Sequence, residues 1–228
     1  MEKPSTSSPR LTSRNNRGAS SDFKSLLPLK KSFYRRPSPI VARALLGKWI
    51  VRSIDEQTLI CRIVETEAYE GNLDPASHAF RGITPRTRPM FEAGGILYVY
   101  FSYGVHHCMN VVTGVKGVGE AVLLRAAEPI EGMGLMYKNR NLPATAQPQT
   151  LLSGPGKLCQ ALSVGLDMNF HDLTLSPLTI VEASLVDQRT PDDVEIITTP
   201  RIGISKAKEA PLRFCLKSSS HLSRRLAP

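Results

Sequence analysis

Ile63-Val64-Glu65-Thr66-Glu67-Ala68-Tyr69 is a β-patterned run that ends in a carboxylate and an aromatic ring, and its reading decides the fold. Upstream, residues 48–54 and 58–69 alternate with period two about the polar Asp55-Glu56-Gln57 turn. They form a hairpin with Glu67 and Tyr69 on one face. Glu65 has the same parity but lies one pleat repeat further from the strand end. Downstream, residues 70–80 have no period, and Gly71, Asp74 and Pro75 mark a loop that holds His78. Thr84-Pro85 reads as the cap and first turn of a short helix through Met90-Phe91, carrying Arg86 and Arg88 and stopped by Gly94-Gly95. Residues 96–102 are the next strand, Tyr103-Gly104 a turn, and residues 108–113 a further strand. Residues 120–128 alternate again, with Leu123 and Arg125 on one face, until Pro129 ends the run.

The flanks are shorter elements. Ser38 caps a helix with Pro39 at its first position, Ile40, Val41, Ala44 and Leu45 on its buried side, and Gly47 at its stop. Residues 130–139 read as a helix and 142–150 as a Pro/Gln/Thr loop. Ser153-Gly154-Pro155 opens a second helix through Leu162, whose free amides suit an anion. It is not a P-loop, because Leu151 and Leu158 stand where that spacing needs Gly and Ser/Thr. Residues 178–183, 194–198 and 212–216 are further strands.

The 228 residues, 41% of them hydrophobic, suit one domain with an ordinary core. The formal charge of +9 points to an anionic partner. Residues 1–36 hold nine Lys/Arg against Glu2 and Asp22, so they supply seven of the nine net charges and leave the body nearly balanced. Sequence-independent phosphate binding would come from this tail, and the body would rely on a few placed arginines. Residues 1–32 are rich in Ser, Thr, Arg, Lys and Asn, lack apolar periodicity, and are expected to be a disordered basic tail. That composition suits a nuclear address or, alternatively, a plastid or mitochondrial transit segment. Cys61, Cys108, Cys159 and Cys215 are well separated and fit a reducing compartment. Residues 93–115 carry no formal charge, yet they hold His106, His107, Asn110 and four glycines, so strands are expected there and no membrane helix.

A carboxylate, a histidine, tyrosine rings and arginines gathered in residues 63–110 suit a pocket that takes in a planar, electron-poor base beside a phosphate backbone. On pattern alone, a glutamate near a strand end is ordinarily a solvated residue, alternating tyrosines are ordinary sheet residues, and His78 is a loop histidine. Arg125 inside an apolar strand is more informative, because an arginine there requires an anionic partner. His78, His106, His107 and Cys108 lack the spacing of a zinc deaminase, so no metal is expected. Lys157 has no neighbour that would make it a Schiff-base nucleophile, so no lyase activity is expected.

Between residues 33 and 216 the chain resembles the alkyladenine (3-methyladenine) DNA glycosylases. The resemblance rests on Ala42-Arg43-Ala44-Leu45-Leu46-Gly47, on Arg62-Ile63-Val64-Glu65-Thr66-Glu67-Ala68-Tyr69, and on Ala76-Ser77-His78 with Thr84-Pro85-Arg86. It continues in order through Leu97-Tyr98-Val99-Tyr100, Tyr103-Gly104, Cys108-Met109-Asn110, Val122-Leu123-Leu124-Arg125-Ala126 and Glu128-Pro129. Ser153-Gly154-Pro155-Gly156-Lys157-Leu158, Thr199-Pro200-Arg201-Ile202-Gly203-Ile204 and Pro211-Leu212-Arg213-Phe214 complete it.

The resemblance implies an α+β class, with a single domain over residues 33–217 around a curved antiparallel β-sheet flanked by short helices. It implies a monofunctional, monomeric enzyme acting on double-stranded DNA that contains alkylated or deaminated purines, without metal or other cofactor. Carried over by position, Glu67 is the general base that activates water, and Arg125 helps hold that water and the flipped nucleotide's phosphate. Tyr69 stacks on one face of the extruded base, with His78 and Tyr100 on the other side. Asn110 crowds out the 2-amino group of normal guanine, Tyr103 is the wedge that fills the hole left in the duplex, and Arg86 and Lys157 meet the DNA backbone. Two departures stand out. His106-His107 follows the wedge where an aromatic or aliphatic pair is usual, and Ser219-Ser220-His221-Leu222 replaces Pro-Trp-Val. Nothing is carried over at the second, and residues 218–228 are expected to be a frayed tail.

The chemistry is self-consistent. Extruding a base costs a few kcal/mol, and each stacking face returns about 1–3 kcal/mol. A cationic alkylated purine gains a further cation–π attraction of about 0.5–2 kcal/mol and is the better leaving group. Glu67 needs only to be ionised, as a carboxylate of unperturbed pKa about 4.3 is at neutral pH. The alternatives are a non-catalytic lesion- or nucleic-acid-binding protein on the same scaffold, and a hydrolase of small nucleosides. Loss of binding on raising salt separates the DNA-directed readings from the last.

Overall fold

The run ending at Tyr69 is the second half of the longest strand, β2 (Gln57–Glu70), and most of the sheet is placed by reference to it. A computed structural model describes residues 26–102, 104–182 and 195–226. β1 (Trp49–Ile54) folds back on β2 with Trp49 opposite Arg62 and Ile54 opposite Gln57. The other edge of β2 carries β5 (Glu120–Glu131), which pairs in turn with β4 (His106–Thr113), and β4 with β3 (Leu97–Ser102). β6 (Leu178–Val181) flanks β1. β8 (Arg213–Leu216) takes over from β1 along Glu65, Thr66 and Glu67, and carries β7 (Ile196–Thr199). This is an open, eight-stranded antiparallel sheet with a few short helices, the α+β arrangement expected.

Alternation gives the sheet two different faces. Val64, Ala68, Leu97, Val99, Met109, Val111, Val122 and Leu124 belong to the main core. Against them pack Val41, Ala42 and Leu45 of helix Ser38–Leu45 and Leu158 of helix Pro155–Ala161. The residues between them on each strand, Glu67, Tyr69, Tyr98, Tyr100, Asn110 and Leu123, take the opposite face. Leu59, Cys61 and Ile63 are core residues too, although their parity is that of Glu65 and Glu67. The phase changes at a register irregularity between Ile63 and Glu65, where Val64 is the extra residue of a bulge. A second irregularity, between Glu65 and Thr66, makes Arg125 the extra residue on β5.

Several local expectations are corrected. Ser38 does not cap its helix: it is the first helical residue, is buried, and gives its hydroxyl to the Tyr69 carbonyl at 3.2 Å. The expected helix at Thr84-Pro85 is a turn closed by the Thr84 and Thr87 hydroxyls, and helical geometry, of 3₁₀ type, begins only at Arg88–Phe91. β5 runs through Pro129, which sits at a register shift opposite Cys61 where the ladder is already irregular. The expected loop at 142–150 gives way at its end to a helical turn, Gln149–Leu152, because Leu151 and Leu152 are drawn into the core. The chain also packs earlier than residue 33: Leu29 is buried and gives its amide to the Ile180 carbonyl at 2.8 Å, and Pro28 bridges Val181, covering the edge of β6. The rest of the expected tail, residues 1–25, lies outside the described residues. Among the described residues, no helix is long and apolar enough to cross a membrane.

Gly94 ties the helical turn Lys31–Tyr34 to this sheet. Its amide meets the Gly114 carbonyl, and the Gly114 amide meets the Tyr34 carbonyl, both at 3.0 Å. A Cβ on Gly94 would stand 2.5 Å from the Tyr34 carbonyl oxygen. Gly94→Ala is therefore expected to cost about 1–3 kcal/mol, read as a lower urea midpoint with an unchanged m-value.

Candidate active site

On the sheet face away from the core, Glu65 and Glu67 are completely buried. A buried carboxylate persists only where cations and hydrogen-bond donors take up its lone pairs. The Ile202 amide gives to Oε1 of Glu67 at 2.7 Å, while the Tyr69 hydroxyl and Nη1 of Arg125 give to Oε2 at 3.0 and 3.2 Å. Oε1 of Glu65 accepts from Nε of Arg213 at 2.7 Å, from Nε of Arg125 at 3.1 Å and from the Ser223 hydroxyl at 2.7 Å. Its Oε2 accepts from the Ser223 amide at 2.6 Å. Two carboxylates and two guanidinium groups thus close a balanced cluster. The anionic partner that Arg125 requires is this carboxylate pair.

Burial raises the pKa of Glu67 above the ordinary carboxylate range, against the opposing pull of Arg125, the Ile202 amide and the Tyr69 hydroxyl. This corrects the expectation of an unperturbed carboxylate: Arg125 is shared with Glu65 and does not cancel the cost of desolvation. Burial also disfavours the charge of Arg125, but Glu67 and Glu65 more than offset it and raise its pKa.

Tyr69, Arg125 and Ile202, the three partners of Glu67, line a cavity of about 940 Å³, so Glu67 lies directly behind its wall. Tyr69, His78, Tyr100 and Asn110, which the family resemblance implies as base-binding residues, all line the same space. His78 places Nδ1 3.0 Å from the Tyr98 hydroxyl and meets the Tyr100 ring edge-on at 4.6 Å between centroids. The protein packed around its ring and the Arg86 cation lower the His78 pKa to about 4, which leaves a neutral imidazole at pH 7. Asn110 is fixed by its Nδ2, which gives to the Tyr98 carbonyl at 3.1 Å.

The charge around the cavity has one sign. Arg81, Arg86, Arg125, Arg140, Lys157 and Lys206 line it, and among the described residues no Asp or Glu does. Arg86 lies over the Tyr100 ring at 5.2 Å, and Lys157 is exposed at the opening helix Pro155–Ala161. Arg88, the third loop arginine, is turned instead toward Phe170. The cavity continues to the end of the β3–β4 hairpin, where Phe101 and Val105 are exposed and Gly104 takes a left-handed conformation. Tyr103, the expected wedge, lies outside the described residues.

Four site residues, Arg201, Ile202, Arg213 and Ser223, were missed by the sequence reading. Arg201 carries its guanidinium 4.6 Å from the Tyr69 ring centroid, and the next amide, Ile202, holds Glu67. Ser223 holds Glu65, and with it the expected frayed tail is corrected: His221 is buried, Leu222 packs on the core, and Arg213 gives to the Arg224 carbonyl at 3.0 Å. The unmet acceptors of buried Glu65 are what draw this segment in. No periodicity marks it, and the only signal was the position of Arg201 and Arg213 in the shared segments.

Comparison with known proteins places these residues in a family context. A family model described as methylpurine-DNA glycosylase (MPG) matches residues 32–220. A protein of Methanoculleus marisnigri is 46% identical over 199 residues, covering 87% of this chain and all of its own. One of Carboxydothermus hydrogenoformans is 44% identical over 198 residues, covering 86% of this chain and 99% of its own. Both carry the name "Putative 3-methyladenine DNA glycosylase".

Ser223 offers a direct check on the buried cluster. Ser223→Ala removes a hydroxyl bond to a charged acceptor and is expected to lower stability by about 1.5–3 kcal/mol in chemical denaturation, with Ser223→Thr close to wild type. A neutral Ser223→Ala change would mean that the segment is not docked on Glu65.

Proposed function

The chain belongs to the methylpurine-DNA glycosylase family and is a DNA glycosylase, and from that premise we propose that it excises alkylated and deaminated purines, 3-methyladenine, 7-methylguanine and hypoxanthine among them, from double-stranded DNA by hydrolysis. The observation that carries the reading is the conjunction at one cavity: aromatic walls, a rim of cations with no carboxylate among the described residues, and a buried carboxylate one bond behind. Free nucleosides would have little use for such a rim. A phosphate backbone has, and its binding to it should weaken steeply as salt rises.

In this mechanism the damaged nucleotide leaves the stack and its base enters between Tyr69 and the His78–Tyr100 pair, while Tyr103 fills the space left in the duplex. Asn110 crowds the 2-amino position of guanine. Three of the four lone-pair positions of Glu67 are taken by Ile202, Tyr69 and Arg125. The fourth receives the attacking water. As the bond between the sugar C1′ and the purine nitrogen breaks, its electron pair leaves with the base, the water oxygen bonds to C1′, and the water proton passes to Glu67. Arg125 holds Glu67 in place and answers the charge of the nucleotide's phosphate, and Arg86 and Lys157 meet flanking phosphates. A cationic purine departs neutral, which favours alkylated over normal bases in the bond-breaking step.

Single-turnover release of free base from a duplex with one hypoxanthine, in the absence of metal, tests the assignment. Glu67→Gln is expected to lower the rate by about 10²–10⁴-fold while lesion binding persists. Lesion-selective binding without base release by the wild type would instead make the protein a non-catalytic binder. A second test uses pH. Only ionised Glu67 can take the proton, and its pKa is raised, so the rate should fall on acidification through a midpoint above the ordinary carboxylate value of about 4.3. A rate that stays flat down to that value would contradict the role of a buried base.

A further inference from the structure

Tyr69 has a guanidinium on its buried side. Arg201 lies over the ring at 4.6 Å and its side chain has no exposure to solvent. It is absent from the cavity lining that includes Tyr69, so it covers the ring face turned away from the cavity. Three hydrogen bonds to two groups hold the arginine. Nη2 gives to Oδ1 of Asp74 at 2.8 Å, Nη1 gives to Oδ2 of Asp74, and Nη1 also gives to the Ala68 carbonyl at 3.0 Å. Burial works against its charge, and Asp74 restores it, so Arg201 is a fixed cation.

A cation over one face of a phenol ring draws π-electron density toward itself and leaves the opposite face less attractive to a second cation. A neutral base stacked on that opposite face depends far less on this term. Asp74, one bond further back, partly cancels the field.

We propose that Arg201 is a specificity-determining positioning residue: acting through Tyr69, it lowers the preference of the cavity for positively charged damaged purines relative to neutral ones. The inference rests on the reading of Tyr69 as a base-stacking ring. It implies that the site is balanced toward a broad range of damaged purines and not tuned to cationic ones alone, with the Arg201–Asp74 pair setting the balance.

The test is the ratio of excision rates for 7-methylguanine, which is cationic, and hypoxanthine, which is neutral, in otherwise identical duplexes at sub-saturating protein. Both rates come from one preparation, so the fraction of folded protein cancels. Arg201→Gln removes the cation and leaves the Asp74 charge, and the ratio should rise by roughly three- to tenfold, a range set by about 0.7–1.4 kcal/mol of cation–π attraction. Asp74→Asn leaves Arg201 uncompensated, and the ratio should fall. Arg201→Lys keeps the charge and should stay near wild type. A residue that only supports the fold would slow both lesions alike. An unchanged ratio in both Arg201→Gln and Asp74→Asn overturns the proposal, provided Tyr69→Leu still impairs excision. If Tyr69→Leu excises both lesions at wild-type rates, the stacking role itself is wrong and the proposal falls with it.

Discussion

Burying two carboxylates two residues apart on one strand is the constraint on which the rest of this structure depends. Glu65 and Glu67 are fully buried from bulk solvent, and each needs its charge answered from within the protein. Arg125 and Arg213 supply the charge, from the strands on either side of β2, and backbone amides of Ile202 and Ser223 supply the remaining donors. Removing one member of such a cluster typically costs about 3–5 kcal/mol, because the remaining charge is left buried and unpaired. That cost accounts for the ordering of segments with no regular secondary structure, after β7 and after β8, around the site. The same groups that neutralise Glu67 form the cavity wall, so folding and preparation of the site are one event.

The sheet separates these tasks by face. One face buries the apolar core beneath two helices, and the other presents rings, cations and the carboxylate cluster. The separation depends on two local irregularities. The bulge at Val64 turns Glu65, Glu67 and Tyr69 away from the face that Leu59, Cys61 and Ile63 occupy, and the irregularity on β5 aims Arg125 between both glutamates. Bulges of this kind re-aim a side chain without adding an element.

The parts of this arrangement that follow local periodicity were legible in the sequence. Glu67 and Tyr69 share a face because strands have period two, and Arg125 declared a buried anion by being charged inside an apolar strand. The Val64 bulge was not legible, because residues 59–64 are, apart from Arg62, apolar toward both faces of a buried strand and hide any change of phase. Ser223, Arg201 and Ile202 were missed as functional residues for a different reason. They lie in irregular segments far along the chain, and what fixes them is the unmet hydrogen-bonding capacity of Glu65 and Glu67, which only the folded sheet brings within reach. Leu29 was missed similarly, since it covers a strand edge that local composition does not reveal.

Excision by this route requires a damaged base and a water both placed within reach of Glu67. A crystal structure of the Glu67→Gln protein with a duplex carrying one hypoxanthine tests this most directly. The expected result is the base in the cavity against Tyr69, the Tyr103 ring in the vacated position of the duplex, and an ordered water between residue 67 and C1′ of the flipped sugar. A base still stacked in the duplex, or one seated in the cavity with residue 67 out of reach of any water near C1′, would contradict it.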